Sequence, residues 1–210
     1  MKHAAILVGG QLEITQKVLA LARETNLVIA ADGGARHAQA LNLKLDLWVG
    51  DFDSSEGLAF PGVPRLEFNP DKDSTDLELA IQAAKVAGAT QATVFGAFGG
   101  RFDHTLAIAL SAVKNTLEGF EITLESGFET GWILKSNSEL ELSLRQHQTF
   151  SLLALSPTVT GLNIKGAKWN LENATLEFGT GFGISNLALG LVYLKLETGF
   201  ALVIAQNHVV

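Results

Sequence analysis

The chain has 210 residues, 47% of them hydrophobic and 18% charged, and a formal net charge of −7. This balance suits one large or two modest folded domains, excludes a disordered chain, and argues against a nucleic-acid partner, which asks for a basic face. There is no cysteine, so disulfides, thiolate zinc sites and thiol nucleophiles are excluded as well.

In chain order, AAILV (4–8) reads as a short buried strand. Ile14, Val18, Leu21 and Ala22 follow at helical spacing over 11–24. LVIAA (27–31) is strand-like, GARHAQAL (34–41) helix-like, LDLWV (45–49) strand-like, and RLEF (65–68) a candidate fourth strand. Thr75-Asp76-Leu77-Glu78 fits a capping box, opening a helix expected to run to about Ala87, with Gly88 as its stop. ATVFG (92–96) is a further strand and 104–115 a further helix. Strands alternating with helices predict a mostly parallel sheet covered on both faces.

From about residue 120 the period changes to an alternation of apolar and polar residues, in EITLES, GWILKS, ELELSLR, TFSLLALS, VTGLNIKG, ATLEFG, GLVYLKLE and GFALVIA. The expected fold class is therefore α/β plus all-β. An N-terminal α/β domain (1–128) precedes a C-terminal β-sandwich domain (129–210), with barrel closure as the other all-β solution. The start, MKHAAILVGGQ, lacks the apolar run and cleavage pattern of a signal peptide. No stretch approaches the roughly 20 apolar residues of a membrane span. A soluble, cytoplasmic protein without a membrane partner is expected.

All eight aspartates lie between residues 32 and 103. Asp32, the pair Asp51 and Asp53, the group Asp71, Asp73 and Asp76, and Asp103 each follow an expected strand. In a parallel sheet the loops after the strands gather at one edge, where ligands bind. In an extended segment Asp51 and Asp53 would point the same way and repel unless a cation lay between them. Hard oxygen donors without His or Cys suit Mg²⁺ or Mn²⁺, which leave positions open for substrate phosphates. The plainer reading is a polar turn, with Asp53 or Ser54 capping the next element, Asp73 capping the helix after it, and Asp71 solvated.

GAFGGRFDH (96–104) adds the opposite charge. Its glycines let backbone approach a ligand, Arg101 can fork onto phosphate oxygens, and Asp103 is placed to cap a helix starting near His104. Lys72 is either a second phosphate contact or an ion-pair partner. The segment is neither a Walker A loop nor a dinucleotide fingerprint.

DLWVGDFDS (46–54), DKDSTD (71–76), GGRFDH (99–104) and ATLEFGTGFGISN (174–186) together resemble the thiamine pyrophosphokinase family over nearly the whole chain. The resemblance implies an ATP-dependent transfer of diphosphate to the hydroxyl of thiamine, giving thiamine diphosphate and AMP. It implies Mg²⁺ and triphosphate held by Asp32, Asp51, Asp53 and Asp76, with Asp51, Asp53, Asp76 and Arg101 as the catalytic set. Lys72, Asp73, Thr75, Arg101 and Asp103 would form the ATP and phosphate site. Ser185 and Asn186 would bind thiamine from the β domain of a partner subunit in a homodimer. The family's GISN motif is usually followed by an acidic residue, where this chain has Leu187. Other small alcohols such as a hydroxymethylpterin, a non-catalytic thiamine or nucleotide sensor, and a metal-dependent phosphohydrolase are the competing readings.

Overall fold

The computed structural model describes residues 2–52, 55, 57–67 and 75–207. Asp53, Ser54, Asp71, Lys72 and Asp73 lie outside the described residues. The chain divides into two compact units, Met1–Phe128 and Glu129–Val210.

The N-terminal unit carries strands β1 (Lys2–Leu7), β2 (Leu27–Ala31), β3 (Leu47–Gly50), β4 (Arg65–Glu67), β5 (Ala89–Phe95) and β6 (Glu121–Glu125). All are parallel, in the order β6-β5-β1-β2-β3-β4. The central strands are unbroken apolar runs because side chains leave both faces and both are covered. Ala5, Leu7, Val28, Ala30 and Phe95 pack with Val18 and Ala22 of α1 (Gln16–Arg23) and Ala38 of α2 (His37–Ala40). Ala4, Ile6 and Ile29 alternate with these residues and are also buried. Helix α3 (Asp76–Val86) packs across β1, β2, β3 and β5, and α4 (Phe102–Leu117) packs on β6.

Several boundaries differ from the expectation. The first helix starts at Gln16, not at 11, with Thr15 as its cap. The preceding residues are engaged elsewhere: the Gln11 amide donates to the Phe98 carbonyl, and that of Glu13 to the Ser126 carbonyl at 2.8 Å. The stretch expected as a helix over 34–41 splits into a 3-10 turn, Asp32–Arg36, and the single-turn α2. Adjacent glycines at 33 and 34 disfavour a regular helix there. Residues 121–125 of EITLES, assigned from their alternation to the all-β half, form a parallel strand beside β5. The crossover through α4 brings the chain back in the same direction as β5.

The C-terminal unit has no helix among its described residues. Its strands are β7 (Glu129–Lys135), β8 (Ser138–Ser143), β9 (Thr149–Ala154), β10 (Thr158–Ala167), β11 (Leu171–Glu177), β12 (Asn186–Leu196) and β13 (Phe200–Gln206). The pairings are antiparallel. Strand β12 changes partners along its length. Asn186 and Leu187 pair with β9, whereas residues from Leu191 onward lie between β8 and β10. Leu134, Phe150, Leu152, Leu162, Val192, Leu194 and Val203 join one buried apolar cluster drawn from these strands.

Candidate active site

Strand β1 lies between β2 and β5. The chain proceeds from β1 to one side and returns on the other, so the loops after β1 and β5 diverge and open a crevice. A cleft of about 540 Å³ lies at this point, within the usual range for small-molecule sites. Its lining includes Gly9 and Gly10 after β1, Asp32 after β2, Asp51 after β3, Thr75 and Asp76 at the head of α3, and Gly99, Gly100 and Arg101 after β5. The fold thus gathers into one cleft five of the site residues expected from sequence: Asp32, Asp51, Thr75, Asp76 and Arg101.

Asp32 is only 8% exposed and has a left-handed φ of 44°. Such a conformation in a non-glycine residue costs about 1–3 kcal/mol and persists only when its surroundings hold it. The Ser55 hydroxyl donates to Asp32 Oδ1 at 2.6 Å, and the Trp48 indole Nε1 donates to the Asp32 carbonyl at 2.9 Å. Gly34, two residues on, lies so close to β1 that a Cβ there would sit 2.2 Å from the Leu7 carbonyl oxygen. Glycine is what lets the Asp32 turn lie against the strand end.

The segment around Asp51 is not the extended one expected. Strand β3 ends at Gly50, and Phe52 has a φ of 64°. The extended geometry expected here therefore does not hold at Phe52, and the direction of Asp53 lies outside the described residues. The reason is aromatic packing. Phe52 meets Trp48 edge-on at 5.0 Å, Phe60 meets it at 5.3 Å, and the Arg65 guanidinium lies 4.4 Å from the Trp48 ring centre. Contacts of this kind contribute roughly 0.5–1.5 kcal/mol each beyond area burial, enough in sum to hold a strained turn.

At the head of α3 the capping box is complete. The Glu78 amide donates to Thr75 Oγ1 at 3.3 Å, and the Thr75 amide donates to Glu78 Oε2 at 2.9 Å. The cap is therefore Thr75 rather than Asp73, and Asp76 is the first helical residue. Helix α4 begins at Phe102, not at His104, and Arg101 is its cap residue without a side-chain cap bond. Asp103 does not cap. It lies in the first turn and takes the Arg101 fork, with Nη2 to Oδ2 at 2.6 Å and Nε to Oδ1 at 3.1 Å. That hydrogen-bonded guanidinium holds the Asp103 carboxyl down at about 2. Asp103 is outside the cleft lining, whereas His104 is part of it.

Ser185 and Asn186 belong to the C-terminal unit. Asn186 Oδ1 accepts from the amides of Trp169 (3.2 Å) and Leu187 (2.8 Å), and its Nδ2 donates to the Trp169 carbonyl at 2.8 Å. This amide ties the turn between β10 and β11 to the start of β12. Ser185 is exposed with a φ of 62°, and its amide donates to Ser151 Oγ at 3.0 Å. Leu187 is half-buried and pairs with Thr149.

Sequence reasoning missed Trp48, Ser55, Arg36 and the Gly9-Gly10 loop. Gly9-Gly10 directly follows a buried strand, a signal that was available; the contacts of Trp48 and Ser55 become visible only in the fold. Among the described residues no three acidic or imidazole side chains close on one point as a metal cluster. Asp32, Asp51 and Asp76 nonetheless present hard oxygen donors to a common cleft.

The family model described as "Thiamin pyrophosphokinase, catalytic domain" matches residues 18–124, and "Thiamin pyrophosphokinase, vitamin B1 binding domain" matches residues 137–199. The fold is similar to thiamine pyrophosphokinase from Bacillus subtilis, at 22% identity and a TM-score of 0.86, covering 99% of this chain and 100% of that one. It is also similar to a thiamin pyrophosphokinase family protein from Enterococcus faecalis, at 21% identity and a TM-score of 0.78, covering all of both chains. The thiamin pyrophosphokinase from Candida albicans gives 18% identity and a TM-score of 0.76 over 98% of this chain and 89% of that one. At these identities the likeness is one of fold. No curated protein matches the chain.

Proposed function

The chain belongs to the thiamin pyrophosphokinase family, and we propose that it transfers a diphosphate from ATP to the hydroxyl of thiamine in the cleft of its N-terminal unit, releasing AMP. The observation that carries the assignment of the site is the convergence of Asp32, Asp51, Thr75, Asp76 and Arg101 on one cleft where the strand order reverses.

The donor set fits Mg²⁺. This ion needs only one or two carboxylates and takes its remaining ligands from water and substrate phosphates, so an open arrangement of Asp32, Asp51 and Asp76 is compatible with it. Asp53, outside the described residues, belongs to the same proposed set. When bound, the ion would neutralise the phosphate oxygens and make the β-phosphorus a better electrophile.

The protein's own part is placement and charge. The thiamine hydroxyl attacks the β-phosphorus, the bond from that phosphorus to the oxygen shared with the α-phosphate breaks, and the hydroxyl proton passes to a carboxylate of the cleft. Gly99 and Gly100 let the backbone approach the phosphates closely. Arg101, with Asp103 holding its fork, offsets charge on them. Thr75, Lys72 and Asp73 complete the proposed phosphate side. Ser185 and Asn186 are the proposed thiamine contacts; Asn186 would act there by shaping the turn it ties down.

The antiparallel unit is read as a β-sandwich, on the partner change of β12 and the single apolar cluster drawn from all its strands. No described helix is long and apolar enough to cross a membrane. Cytoplasmic location and a homodimer complete the proposal, the latter on family resemblance.

The test is incubation of the purified protein with ATP and Mg²⁺, with and without thiamine, with the nucleotides resolved by chromatography. AMP forming only with thiamine, matched by thiamine diphosphate, is the expected result. AMP formed only with another hydroxymethyl heterocycle, or phosphate released without an acceptor, would overturn the reading.

A further inference from the structure

The cleft holds a second arginine that the phosphate motif does not include. Arg36 closes the 3-10 turn opened by Asp32 and lines the same cleft. Its Nη2 donates to the carbonyl of Gly9 and lies 3.4 Å from that of Gly10. Beside it, His37 Nε2 bonds the Gly10 carbonyl at 3.0 Å. A carbonyl only accepts, so the proton is on Nε2. These bonds hold the guanidinium through backbone oxygens, which carry no formal charge.

The contrast with Arg101 is chemical. Arg101 spends both Nε and Nη2 on the Asp103 carboxylate. Arg36 makes no ion pair among the described residues, and its Nε and Nη1 donors bond no described residue. An arginine has five N–H donors in a rigid fork that matches phosphate oxygens. The loop holding Arg36 is itself closely packed and hydrogen-bonded. A Cβ at Gly10 would sit 2.1 Å from the Gly96 carbonyl oxygen, and the Gln11 amide is bonded to the Phe98 carbonyl at 3.0 Å. The cation is thus preorganised at the β1–β5 crevice, with donors to spare.

We infer that Arg36, held by the Gly9 and Gly10 carbonyls, is a direct anion contact of this cleft and grips a phosphate of the nucleoside triphosphate. The inference rests on the diphosphate-transfer reading and adds a binding residue to it. Arg101 then shares the role of principal charge with a residue that makes no ion pair among the described residues.

The experiment is calorimetric titration of wild type, Arg36→Ala, Arg36→Gln and Arg36→Lys with α,β-methylene-ATP and Mg²⁺, and separately with thiamine. Arg36→Gln keeps a donor for the glycine carbonyls and removes the charge, which separates charge from loop support. The expected result is analogue binding weakened roughly 10- to 100-fold in Arg36→Ala and Arg36→Gln. Part of it returns in Arg36→Lys, and thiamine binding and thermal midpoint are unchanged in Arg36→Gln. Analogue affinity in Arg36→Gln equal to that of wild type would overturn the inference while leaving the function standing. A wild type that binds no triphosphate analogue would overturn the functional reading itself, and the ligand assigned to Arg36 with it.

Discussion

The Trp48 indole nitrogen donates to the backbone carbonyl of Asp32 at 2.9 Å, while the same ring packs edge-on against Phe52 at 5.0 Å. One buried side chain therefore steadies both acidic turns of the cleft, and both turns contain a left-handed residue, Asp32 and Phe52. Strain at these positions is held by the tryptophan wedged between them.

Replacing Trp48 with Phe keeps most of the apolar volume and removes the donor. The Asp32 carbonyl loses a buried partner, at a cost of about 1–3 kcal/mol. Denaturant unfolding should report that loss. Turnover should fall by more than the folded fraction explains, because the Asp32 turn is freed. An unchanged kcat at full folding would show that the indole bond does not position Asp32.

Asp51→Asn is nearly isosteric and half-buried. The variant should fold like wild type by circular dichroism and lose turnover by roughly 100-fold or more, the scale expected when an electrostatic element of such a site is removed. AMP formation near the wild-type rate would refute the assignment of Asp51 to the metal and phosphate site.

Gly34→Ala tests the close approach of the Asp32 turn to β1. The added Cβ would meet the Leu7 carbonyl at 2.2 Å, and backbone must move to relieve it. A destabilisation of about 1–3 kcal/mol is expected, with activity reduced. Gly62, where a Cβ meets nothing within 4 Å, provides a control: Gly62→Ala has only its positive φ to strain it and should leave activity unchanged.

His37 and His3 predict acid sensitivity. Burial pulls the His37 imidazole below 6.5, partly opposed by the Gly10 carbonyl, and burial does the same to His3 against the opposing charge of Glu24. The unfolded rings take up protons at higher pH than the folded ones. The stability they contribute is therefore complete above about 6.5 and is lost as pH falls through the lower folded values. The denaturation midpoint should drop between about pH 7.5 and about pH 5.5. His37→Gln should drop less over the same interval; an identical pH slope would remove His37 as a cause.

Much of the cleft was legible because its signals are local. Every aspartate except Asp46 comes in the stretch after an apolar run, and Thr75 and Glu78 announce their helix start at the spacing the capping box requires. Parallel sheets put such loop residues at one edge whatever the strand order, so Asp32, Asp51, Asp76 and Arg101 could be assigned to one rim. The misreadings arose where a partner distant in sequence takes over. Residues 11–15 have helical spacing but spend their amides on Phe98 and Ser126. Residues 121–125 alternate like an antiparallel strand yet pair parallel with β5. Asp103 looks like a cap because the model of the motif has no place for the neighbouring Arg101 fork.

Composition, period and spacing already told of an acidic, cysteine-free chain with a parallel α/β half, an antiparallel half and a carboxylate-rich rim. These properties depend on neighbours along the chain, and neighbours along the chain are what a sequence lists. The strand order that opens the cleft between β1 and β5, the left-handed turns at Asp32 and Phe52, and the anchoring of Arg36 on the Gly9 carbonyl emerged from the folded chain alone. Each depends on a contact between residues far apart in sequence, such as Trp48 with Asp32 or Arg36 with Gly9, and such contacts form only when the sheet brings its strand ends together.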